Sequence, residues 1–178
     1  MEVTGSEFEK IKNCPSSQLN MVRLNVVTLM HLTRLLLPEM IKRQGGGILN
    51  VASTAAFQPG PNMAVYYATK AFVLSFSDAI HEELLDANIK VACLAPGPTE
   101  TRFGEESGMN ATKVFTSNVM DSASVAKAGF EAYESNRALI IPGFKNKLGT
   151  FLTRLVPRSV TRKLVKKLQS PRASQNGS

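Results

Sequence analysis

The chain has 178 residues, 43% of them hydrophobic, and a formal net charge of +7. That length is enough for one globular domain with a real core, and two cysteines, Cys14 and Cys93, form neither a metal-ligand spacing nor a disulfide framework. From Lys145 to Ser178 there are nine Lys or Arg and no acidic residues, against 12 basic and 14 acidic in the rest. The surplus charge therefore lies in the tail, and no basic patch interleaved with aromatics supports nucleic-acid binding by the body.

Residues 1–18 read as a weakly ordered leader without the profile of a secretory signal. No unbroken run of eighteen apolar residues exists, so no transmembrane helix is expected. A cytoplasmic setting is the expectation.

From about Leu19, apolar residues at helical spacing (Val22, Val26, Leu29, Leu36, Met40) predict a helix to about Arg43, with Pro38 as a potential kink. Gly45-Gly46-Gly47 is expected to end it, since glycine takes the left-handed conformation of a helix C-cap. ILNVAS then reads as a buried strand ending at Ser53, and the turn-rich FQPGPN leads into a helix of about Tyr66–Asp86. Ile89–Ala95 is a second strand stopped by Pro96-Gly97, with Cys93 a small buried hydrophobe within it.

Residues 98–120 lack periodicity and read as a functional loop, expected to be a substrate lid. Asp121 reads as the N-cap of a helix over 122–135, and ALIIPG as a third strand. The domain so defined spans 19–143; the tail, 144–178, is basic and amphipathic and split at Pro157, and its last residues are expected to fray. Strands alternating with helices predict an α/β fold, an incomplete Rossmann-like doubly wound parallel sheet of about three strands.

Tyr66 and Lys70, four apart, share one helix face. An ammonium beside a phenol favours the phenolate and lowers its pKa from about 10 toward neutrality. Such a group can exchange a proton with an alcohol or carbonyl oxygen. Tyr67 points off that face and reads as packing. Ser53 lies thirteen residues before Tyr66 at the carboxyl end of a strand, where open α/β sheets bind ligands. Its hydroxyl can steady developing charge on oxygen; a helix or turn cap is the alternative.

ILNVAS, then YYATK, then VACLAPGPTET resembles the second half of a short-chain dehydrogenase/reductase. The resemblance implies that Ser53 positions the substrate, Tyr66 is the acid/base, and Lys70 lowers its pKa while holding the nicotinamide ribose. It places a family asparagine, part of a proton relay through water, at Asn25, which otherwise reads as an ordinary polar residue of the first helix. It assigns Pro96, Gly97, Thr99 and Thr101 to the nicotinamide side, where a plain strand-ending turn is the alternative. NAD or NADP is the implied cofactor, a small alcohol or carbonyl the implied substrate, and a homodimer through the two long helices the implied assembly. No metal is expected.

The family's glycine-rich turn after its first strand is not found. Gly45-Gly46-Gly47 precedes a strand, whereas a phosphate-cradling loop follows one and opens a helix. Two functions stay open: an NAD(P)-dependent oxidoreductase, or a truncated chain or scaffold binding cofactor weakly and exposing a bare sheet edge. For the tail, contact with an anionic membrane is weighed against an apolar stripe that covers the substrate pocket with its charges in water, and the second is favoured.

Overall fold

The structure, a computed structural model, describes residues 16–101 and 119–169. Most of the leader, most of the expected lid and the last nine residues lie outside the described residues.

Helix α1 runs Ser16–Lys42, three residues earlier than the periodicity indicated. Ser16 and Ser17 directly after Pro15 are good helix-start chemistry. Pro38 lies within the helix without ending it. Over Arg23–Thr28 the helix widens into π-type hydrogen bonding, a form frequent where a functional side chain is re-aimed. Averaged hydropathy also corrects one expectation. The best eighteen-residue window of α1 reaches a mean hydropathy of 1.2, enough by length and composition to cross a membrane. Asn25, His31 and Arg34 interrupt the apolar run without lowering the average enough.

The helix ends differently from expectation as well. The left-handed residue is Gln44, at φ 48°, not a glycine, and the Gly45 amide donates to the Met40 carbonyl at 3.1 Å. Gly46 then turns the chain at φ 128°. Gly47 has the Tyr133 ring where a Cβ would stand, so close approach is the reason for glycine there.

Strands β1 (Gly47–Val51), β2 (Lys90–Leu94) and β3 (Leu139–Ile140) form one parallel sheet in the order β1-β2-β3. Helix α2 (Ala64–Glu83) crosses from β1 to β2, and α3 (Ser122–Glu134) from β2 to β3. The Asp121 carboxylate accepts from the Ser124 amide at 2.8 Å, as the cap reading required. Helices α4 (Phe144–Leu155) and α5 (Arg158–Leu168) follow, divided at Pro157.

The core lies between α2 and the sheet. Val73, Val91 and Cys93 are fully buried, each large apolar side chain contributing about 1.5–3 kcal/mol by leaving water. Burial pushes the Cys93 thiol up to about 11. Polar atoms in this layer are paired: Asn50 donates to Ser77 at 2.9 Å, and Ser77 to the Val73 carbonyl at 2.7 Å. On β1, by contrast, Leu49 and Val51 are exposed, so the sheet face they occupy is open at this edge.

Candidate active site

Strand β1 ends at Val51, two residues before Ser53, which caps the 3₁₀ turn Thr54–Phe57. Its oxygen accepts from the Ala55 amide at 3.1 Å. The capping alternative is therefore correct, and it coexists with a second contact, a hydrogen bond between the Ser53 and Tyr66 hydroxyls. One local bond thus holds the serine rotamer that meets the tyrosine.

Tyr66 and Lys70 share the face of α2 that looks onto the sheet's carboxyl end. Tyr66 is buried, and its pKa does not follow the expectation. Burial raises it above the ordinary phenol value, and the Ser53 bond lowers it by less. Lys70 does not deliver the expected lowering. Its ammonium donates to the Val51 carbonyl at 2.9 Å and stands 5.9 Å from the Tyr66 ring centroid. Burial holds the lysine below its own usual value.

Asn25 reaches the same region from the π turn of α1. Its amide donates to Thr69 Oγ1 at 3.1 Å, and Thr69 donates to the Tyr66 carbonyl at 2.8 Å. Thr69 is a residue that sequence reasoning missed. Its only signal was a small hydroxyl one place before Lys70.

The Pro96–Thr101 turn closes another side. Thr99 donates to the Gly97 carbonyl at 3.0 Å and bridges to Met120 in parallel register. A Cβ on Gly97 would collide with Asn146, itself bonded to the Pro142 carbonyl at 2.8 Å. The space at Gly97 is filled by α4.

A cavity of about 530 Å³ joins these parts. Asn25, Ser53, Tyr66, Lys70, Pro96, Gly97, Thr99 and Thr101 all border it. The rest of its wall is mainly apolar, and α5 supplies Val165 and Leu168. Tyr67 borders it too, but its ring packs on Gly60 and edge-on to Tyr66 at 6.0 Å. The Tyr67 hydroxyl accepts from the Gln169 amide, a contact no sequence pattern announced. Among the described residues, no cluster of three or more His, Cys, Asp or Glu could hold a metal.

The short chain dehydrogenase family model matches residues 4–112. The chain is 38% identical over 98 residues to a very-long-chain 3-oxoacyl-CoA reductase of Rattus norvegicus, covering 55% of this chain and 31% of the relative. It is 38% identical over 84 residues to dehydrogenase/reductase SDR family member 4 of Sus scrofa, covering 47% and 30%. The chain thus spans about a third of the length of these relatives. Its fold is similar to that of a short-chain dehydrogenase from Sphingobium yanoikuyae in complex with NADPH. That match has a TM-score of 0.70 and 23% identity, and covers 94% of this chain and 63% of that one. A 7beta-hydroxysteroid dehydrogenase matches with a TM-score of 0.75 and 19% identity, covering 88% and 61%. With the model matched over more than half its length, the chain belongs to the short-chain dehydrogenase family.

Proposed function

We propose that the chain carries the reaction centre of an NAD(P)-dependent oxidoreductase that interconverts an alcohol and a carbonyl. The observation that supports this most is that Ser53, Tyr66 and Lys70 border one cavity at the mouth of a parallel sheet, with Lys70 one helical turn on from Tyr66. A phenol raised by burial is fully protonated near neutrality, the state needed to donate to a carbonyl oxygen.

In reduction, hydride adds to the carbonyl carbon while Tyr66 gives its proton to the oxygen; oxidation reverses both. A nicotinamide dinucleotide, when bound, would supply or accept that hydride. Ser53 steadies charge on the substrate oxygen. Lys70 and the turn Pro96, Gly97, Thr99 and Thr101 are the residues that would hold the nicotinamide end, since they border one cavity with Tyr66. In Asn25, the bond to Thr69 uses Nδ2 and leaves Oδ1 for a proton relay. A homodimer through α1 and α2 is consistent with Leu32, Leu35 and Leu36 exposed on α1.

The test is oxidation of NADPH or NADH with a panel of apolar ketones. Tyr66→Phe should reduce turnover by roughly 100-fold or more; unchanged turnover would overturn the assignment. A second reading, a scaffold without useful cofactor affinity, draws on the open face of β1 and on the lack of a glycine-rich strand–turn–helix in the sequence. For this 178-residue chain by itself, calorimetry should find weak NADPH binding; micromolar binding would remove the second reading.

A further inference from the structure

An amphipathic helix of a water-soluble domain ordinarily turns its apolar stripe inward. Helix α4 does the reverse. Asn146, Thr150 and Thr153 form its protein-facing side, with Thr150 buried and Asn146 seated against Gly97. Leu148, Phe151, Leu152 and Leu155, spaced i, i+3, i+4 and i+7, are left 45%, 56%, 47% and 67% exposed. Phe144 extends the stripe at the helix start. The reading of the tail stripe as a pocket cover therefore holds for only part of it. In α5, Val165 packs against Ala55, Tyr66 and Tyr67, whereas Val160 and Leu164 face outward beside Lys163 and Lys167.

We propose that the outer face of α4 and α5 docks on an anionic lipid bilayer. Charge selects this occupant. The segment from Lys145 onward has nine basic residues and no acidic one, so a second copy set against this face would bring like charges together. At about 100° per residue, Lys145 and Lys147 fall on opposite flanks of the apolar stripe. That arrangement lets an apolar sector sink into acyl chains while ammonium groups snorkel to the headgroups. Basic residues on an amphipathic helix each add attraction to an anionic surface, within the screening length of the buffer.

The chain contains no tryptophan, so one introduced residue reports its own surroundings. Phe151→Trp in the full chain is mixed with vesicles of phosphatidylcholine alone, or of phosphatidylcholine with phosphatidylglycerol. The expected result is a blue shift of emission with the anionic vesicles only, reversed by salt. Phe130→Trp, at an exposed site on α3 outside the tail, should not shift. The absence of a shift at position 151 would overturn the proposal. So would equal shifts at both positions, which would mean indiscriminate adsorption. A shift that follows protein concentration without lipid, with a dimer in sedimentation velocity, would assign the stripe to a second copy instead. None of these readouts depends on turnover, so the proposal stands or falls apart from the catalytic assignment.

Discussion

The side-chain amide of Gln169 donates to the hydroxyl of Tyr67, joining residues 102 apart in sequence. This bond fastens the end of α5 over the ring that neighbours Tyr66, and Val165 packs into the same cluster. The tail is thereby part of the wall of the cavity that the candidate site residues border.

The two ends of that bond should respond unequally to substitution. Among the described residues the Gln169 Oε1 is buried without a partner, so Gln169→Leu takes one hydrogen bond from the Tyr67 hydroxyl but also removes an unsatisfied acceptor. It should cost about 1 kcal/mol or less, whereas Tyr67→Phe strands the whole amide and should cost about 1–3 kcal/mol. Urea unfolding midpoints of the two variants check the order.

Thr69 should be coupled energetically to Asn25. Thr69→Val leaves the Asn25 amide without its acceptor at 3.1 Å, and should destabilise by about 1–2 kcal/mol. A double-mutant cycle with Asn25→Ala should show that most of the loss is shared. Additive losses would mean that the two side chains act independently.

Gly60→Ala should be destabilising although it adds only a methyl group. The added carbon would overlap the Tyr67 ring near its base, where the side chain has little room to yield. Overpacking of this kind costs about 1–3 kcal/mol, and the loss should shrink in a Tyr67→Leu background. Thermal unfolding of the four combinations checks it.

Stability should fall in alkali. Tyr66 and Tyr67 are raised by burial above 10.0, and Cys93 from 9.0 to about 11. A folded pKa above the unfolded value contributes stability that is full below the unfolded pKa and is lost as pH rises through the folded one. Lys70 has the opposite sign. Burial lowers it from 10.5, so its contribution is present above that value and is lost as pH falls through the folded one. The window for the three acids therefore opens near pH 9 and extends past 11. Tyr66→Phe should flatten the alkaline decline; an identical slope in denaturant titrations would refute the burial effect.

Much of the architecture was legible because it is local. The 3.6-residue spacing of α1 and α2, the β-branched strands, the Asp121 cap and the break at Pro157 each depend on a few neighbouring residues, and their alternation implies a parallel α/β sheet. Ser53, Tyr66 and Lys70 could be singled out for the same reason, since strand end and helix face follow from local pattern. Element ends were less secure: Gln44 took the left-handed position expected within Gly45-Gly46-Gly47, and the Gly45 amide closes the helix on the Met40 carbonyl.

What only the tertiary structure decided concerns partners and solvent. Lys70 reaches the Val51 carbonyl, and burial moves Tyr66 upward where charge proximity alone argued for downward. Gln169 finds Tyr67, Thr69 finds Asn25, and α4 turns its leucines outward. Sequence spacing states which side chains share a face; how dry each one becomes, and which distant group it meets, depends on every element packed around it.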